Sequence, residues 1–176
     1  MKNFPIKSLV LTAVLASFAL LAFMIEGLFP PLFIPGARLG LSNLFVLLTL
    51  ICIGNRYAIA VMLVKVVLGS LFAGNPMAIL YSLPSGIVSL VLEILLIKFA
   101  SKKLSLVAIS ALSAVISATI QTLVYLLVSN TPQILGYLPY LIGVSVIAGG
   151  FVGVCALLII KAIPVQLVEQ QGENNG

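Results

Sequence analysis

From the N-terminus onward, the chain is a series of long apolar runs separated by short polar punctuation. About 20 apolar residues, within a range near 17–25, carry a helix across the hydrocarbon core of a bilayer. On that measure Ser8–Leu28, Tyr57–Ala73, Ile79–Phe99, Leu104–Ser129 and Leu138–Ile163 each predict a spanning helix. Leu41–Gly54 predicts a sixth, short unless it begins near Gly40. The punctuation at 29–39, 74–78 and 130–137 is rich in Pro, Gly and Asn, which suits turns over a membrane face. The pattern therefore predicts an all-α integral membrane bundle of six transmembrane helices. It forms one domain over residues 1–165, with a polar tail over 166–176. The first run begins behind Lys2 and Lys7, as a signal peptide does. Its apolar stretch is too long for one and no cleavage site follows it, so it reads as retained.

Composition agrees. Of 176 residues, 62% are hydrophobic and 7% charged. A soluble domain carries roughly 25% charged residues, so the chain cannot coat a water-exposed surface. Disorder needs the opposite balance of low hydrophobicity and high charge. The net charge is +5, and its placement is informative. With a cytoplasmic N-terminus, Lys2, Lys7, Arg56, Lys98, Lys102, Lys103 and Lys161 fall inside and only Arg38 falls outside. That asymmetry predicts both termini inside. The largest basic cluster is Lys98, Lys102 and Lys103, without interleaved aromatics, so headgroups and topology explain it and nucleic acid is not expected.

Several chemistries are excluded. The chain has no His, and its acids are the scattered Glu26, Glu93, Glu169 and Glu173. No carboxylate pair for a divalent cation and no phosphate-binding loop is present. Cys52 and Cys155 sit in apolar runs and read as small buried hydrophobes. No catalytic residue, metal or cofactor is assigned, and the chain is expected not to be an enzyme.

The candidates are the exceptions to apolarity. Lys65 and Glu93 lie at membrane depth, where an ionisable group costs about 2.5–3.5 kcal/mol by insertion scales. Helical rise puts them roughly 12 and 9 Å from the inner ends of their helices, so an intramembrane ion pair between consecutive helices is expected. The pair serves either to orient the helices or as a substrate or proton site. Glu26 and Arg38 flank the first outer loop and either bridge each other or contribute to a substrate site. Arg38 and Asn43 stand at the mouth of the second helix, where a guanidinium fork and a helix N-terminus suit an anionic group. Gln121 is mid-span, where it either bonds another helix or lines a cavity. Tyr81 and Ser85, Tyr125 and Tyr140 are on outer halves of their helices and, with Gln121, suit one outward-facing cavity. An interfacial aromatic belt is the alternative for the tyrosines. Ala13, Ala16 and Ser17 give the first helix a small-residue face for close approach of another helix, within the chain or from a partner. Gly149-Gly150-x-x-Gly153 offers a second close-packing surface.

The stretch Pro35-Gly36-Ala37-Arg38-Leu39-Gly40-Leu41-Ser42-Asn43, with Leu68-Gly69-Ser70-Leu71, Tyr81-Ser82-Leu83-Pro84-Ser85-Gly86, Gln121 and Leu138-Pro139-Tyr140-Leu141, resembles the Gx transporter family. That family is also called heptaprenyl diphosphate synthase component I. The likeness covers about residues 8–160. It departs at Ser117-Ala118, where the family often has His-Asn, at Lys65, which replaces an Arg, and at Glu93, in a position the family tends to keep apolar. The family is in turn similar to the substrate-binding (S) components of energy-coupling-factor importers. The resemblance implies an S-component-like fold with an outer cavity for a small vitamin-like or cofactor-precursor solute. It also implies a prokaryotic plasma membrane, docking through Ala13, Ala16 and Ser17 on a transmembrane subunit, and ATPases supplied by other chains. The other family name implies an accessory subunit of polyprenyl diphosphate synthesis. Prenyl transfer relies on Mg²⁺ held by aspartate clusters, and this chain contains no Asp, so that role is expected to be non-catalytic.

Overall fold

The computed structural model describes residues 6–28, 40–100 and 103–162. Six α-helices run in order: α1 (Ile6–Leu28), α2 (Leu41–Cys52), α3 (Asn55–Phe72), α4 (Ala78–Ala100), α5 (Leu106–Ser129) and α6 (Leu138–Ala162). A 3-10 turn, Pro132–Tyr137, joins α5 to α6, and no strand occurs among the described residues. Arg38 and the tail at 166–176 lie outside the described residues.

The predicted all-α bundle is present. Five of the helical segments are long and apolar enough to cross a membrane. The sixth, α2, has 12 residues. At 1.5 Å per residue it reaches roughly 18 Å, well short of a hydrocarbon core near 30 Å. Its start is set by Gly40, whose φ of 75° is a left-handed conformation that side chains resist. Its end is a two-residue link, Ile53–Gly54, into α3. At α5, Ser105 caps the helix by accepting from the Ala108 N–H at 3.2 Å, and Asn130 ends it with φ 52°.

Short α2 is the hub. Val46, Leu47, Leu48 and Leu50 are buried against Ala16 and Ala19 of α1, Ala58, Val61, Met62 and Val66 of α3, Leu90 of α4 and Ala156 of α6. This core fills the half of the bundle that carries the basic ends of the helices. Side chains such as Leu9, Phe18, Leu21, Phe72, Leu127, Ile147 and Leu158 point outward all around the bundle. A surface that apolar suits lipid, since helices satisfy their own backbone groups there.

The expected glycine surface on α6 holds at two of its three positions. A Cβ on Gly149 would lie 2.6 Å from the Ala114 Cβ and 2.8 Å from the Ala111 Cα, and one on Gly153 would lie 2.6 Å from the Val107 Cα. The α5 and α6 backbones therefore touch along this stripe. Gly150 faces open space and takes no part.

Candidate functional site

Away from the core, the helices part around a cavity of about 110 Å³. It lies between the C-terminal parts of α1 and α5, the N-terminal parts of α2, α4 and α6, and the middle of α3. Lys7, Arg56, Lys98, Lys103 and Lys161 sit at the opposite ends of the same helices. Under the positive-inside reading the cavity belongs to the outer half. Its size is on the scale of cavities that accept a single-ring molecule.

One wall is charged. The Glu26 carboxylate, buried at the end of α1, accepts a hydrogen bond from the Leu41 N–H. Gly40 has no side chain to cap α2, so an acid from another helix caps it and complements its positive end. Lys65 rises from α3, 5% exposed, and its ammonium donates to Asn43 Oδ1 and, at 3.5 Å, to Ser42 Oγ. The Lys65 charge also acts on Glu93, the partner expected for it, while two hydrogen bonds of the ammonium run to α2. The physical reason is that α3 packs on α2 as well as α4, and α2 presents two polar side chains at the level of Lys65.

The other walls are hydroxyl, amide and aromatic. The Tyr81 and Tyr125 rings meet edge to face with centroids 5.5 Å apart. Asn75 Nδ2 donates to the Tyr81 hydroxyl at 3.5 Å. Gln121 Nε2 donates to Ser82 Oγ at 3.5 Å, a long bond that leaves the amide available to an occupant. Ser85 donates to the Ser82 carbonyl at 3.1 Å. Pro84 lies within this turn of α4 and removes the N–H that would bond the Leu80 carbonyl, loosening the helix where it borders the cavity.

Of the residues expected from sequence, Asn43, Tyr81, Ser85, Gln121 and Tyr125 line this one cavity, together with Lys65. Tyr140 does not line it. It is 49% exposed on the outer surface of α6, and its neighbour Leu141 faces in. Ala13 and Ser17 face outward from α1, but Ala16 is turned into the core, so the three do not form one outer face. Glu93 borders a separate small cavity. The lining residues Phe23, Ser42, Ser82, Ser117, Thr122 and Ser145 were not anticipated. A signal existed on α5, where Ala114, Ser117, Ala118, Gln121, Thr122 and Tyr125 recur at helical spacing on one side.

The family described as heptaprenyl diphosphate synthase component I matches residues 15–159. The chain belongs to that family. No curated protein and no solved structure gives a match. The matched region takes in the C-terminal part of α1, nearly all of α6 and everything between them, so both the cavity walls and the α2 hub belong to the family's shared region.

Proposed function

We propose that this multi-pass membrane protein is the solute-binding component of an energy-coupling-factor-type importer in a prokaryotic plasma membrane. It takes a small vitamin-like or cofactor-precursor solute into the outer cavity and is not itself an enzyme. The observation that carries this reading is the cavity, where buried hydroxyls, two amides and a tyrosine pair converge in an otherwise oily bundle. Polar groups at membrane depth are costly and concentrate along substrate paths. Energy comes from a separate transmembrane subunit and its ATPases, which agrees with a sequence lacking a phosphate-binding loop. Arg38 is assigned to the same site because it stands two residues before Gly40 and five before Asn43 in sequence. Ala13 and Ser17 are assigned to the docking face.

Native mass spectrometry of the purified protein tests this directly. A retained small molecule is expected, and its occupancy is expected to fall in Gln121→Ala and Tyr125→Ala. One cavity hydrogen bond contributes about 0.5–1.5 kcal/mol, so a loss of roughly 2- to 12-fold in affinity per substitution is expected. An unliganded protein that binds nothing from a solute library would remove the proposal.

The family description supports a second reading, an accessory membrane subunit of polyprenyl diphosphate synthesis. Copurification with a soluble prenyl synthase, and a change in that enzyme's product when the chain is present, would favour it.

A further inference from the structure

Gln121 has more hydrogen-bonding capacity than its own chain uses. It sits within α5, where the surrounding lipid offers no water to an unpaired polar group. Its one hydrogen bond among the described residues runs from Nε2 to Ser82 Oγ at 3.5 Å, the outer limit for such a bond. A primary amide carries two N–H groups and a carbonyl oxygen with two lone pairs. One N–H and the carbonyl oxygen are therefore left for whatever fills the cavity that Gln121 lines.

Ser117 repeats the pattern one turn inward. Thr119, Thr122 and Ser129 of α5 each donate to the carbonyl four residues earlier, at 2.8, 2.8 and 2.7 Å. That is how a hydroxyl on a helix satisfies itself locally. Ser117 makes no such bond, nor any other among the described residues, and lines the same cavity, as does Ser145 of α6 in the same state. Ser117 and Gln121 are four residues apart, roughly 6 Å along the helix axis, a distance that a single ring bridges.

The rest of this wall is low and apolar. Gly86, Ala114, Ala118 and Ala148 line the inner part and carry at most a methyl group, which leaves a flat molecule room to lie against them. Tyr81 and Tyr125 close the outer part edge to face. A pair in that geometry shows one edge and one face, and both attract a further aromatic ring. The head group that suits Gln121 can be chosen by its chemistry. A carboxylate offers only acceptors and would set an oxygen against the Gln121 carbonyl. An ammonium offers only donors. An N–H beside a C=O satisfies the donor and the acceptor of the amide together, in the bidentate manner by which Asn and Gln read the edge of a base.

Given that the cavity is the solute site proposed above, we infer that the solute is a planar single ring with an N–H/C=O edge and that Gln121 pairs with that edge. The test is isothermal titration calorimetry of the purified full chain in detergent, washed free of retained solute, with 2-pyridone, N-methyl-2-pyridone and benzoate. N-methylation removes the donor of the edge and keeps the ring. 2-Pyridone is expected to bind roughly 2- to 12-fold tighter than its N-methyl derivative, the worth of one hydrogen bond, and benzoate to bind weakest. Gln121→Met, of similar size but without the amide, is expected to bring the two pyridones to equal affinity. The wild-type comparison decides the matter if Gln121→Met does not fold. Equal affinity for the two pyridones in wild type, a ratio kept in Gln121→Met, or tighter binding of benzoate overturns the inference. Each of these leaves the solute-binding reading standing, since a solute of another class would still be retained in native mass spectrometry. A protein that binds neither pyridone overturns the inference as well, and one that also retains no solute removes both.

Discussion

Gly69 sets the position of a cavity wall. A Cβ at this point of α3 would lie 2.3, 2.7 and 3.0 Å from three ring carbons of Phe23 on α1. Carbon atoms rest about 3.5–4.0 Å apart, so Gly69→Ala must displace the ring by roughly 1 Å or more. Phe23 is buried and lines the solute cavity, which gives the ring one open direction in which to move. Two effects of opposite sign compete. Alanine favours a helix over glycine by about 0.8–1.0 kcal/mol, while overpacking a tight contact costs about 1–3 kcal/mol. The clash wins on these magnitudes, so Gly69→Ala is expected to lower Tm and to shrink the cavity. Phe23→Leu in the same chain is expected to restore both, with a coupling of about 0.5–3 kcal/mol in a double-mutant cycle. Thermal unfolding and ligand occupancy of the four variants check this. A Gly69→Ala variant as stable as wild type or more so, with unaltered occupancy, would refute the account of this wall.

Four further outcomes are expected. Gly149→Leu and Gly153→Leu force α5 and α6 apart and lower Tm, whereas Gly150→Leu, facing open space, leaves it near wild type; melting curves compare the three. Ala16→Leu overpacks the core and costs about 1–3 kcal/mol in unfolding, while Ala13→Leu leaves the fold intact and blocks assembly with a partner subunit in pull-down. Glu26→Ala removes the acceptor for the Leu41 N–H and lowers stability by about 0.5–2 kcal/mol, readable by denaturant unfolding. Arg38→Ala weakens solute binding in an equilibrium assay while the protein still inserts; unchanged affinity would place Arg38 outside the site.

The helices were legible because their signal is length of apolar run, and length survives in a lipid-facing bundle. Even the shortness of α2 was visible between Gly40 and Gly54. Which face of each helix turns inward was much less so. A helix that is apolar all round writes little of its rotation into the sequence. Hence Ala16 and Ala13, three residues apart, went to opposite environments, and Tyr140, expected in the cavity, faces outward while the next residue, Leu141, faces in. Polar residues fared better where they were rare. Asn43, Gln121 and Tyr125 interrupt apolar runs, and each reached the cavity. The serines of the lining were hidden because small residues serve close packing as readily as solvation. Lys65 acts on Glu93 as foreseen, and its hydrogen bonds to Asn43 and Ser42 of α2 were not foreseen, since the reading paired α3 with α4 alone.

The glycine stripe of α6 constrains how the bundle can breathe. With Gly149 and Gly153 seated against the α5 main chain, these two helices interlock and resist sliding or separation. The opposite side is joined through the α2 hub, which packs on Ala16 and Ala19 of α1 and Ala58, Val61 and Met62 of α3 and reaches Ala156 of α6. Any widening of the hollow that keeps the seam closed therefore has to repack the residues around α2, and Phe23, Glu26, Asn43 and Lys65 lie on that side of the cavity.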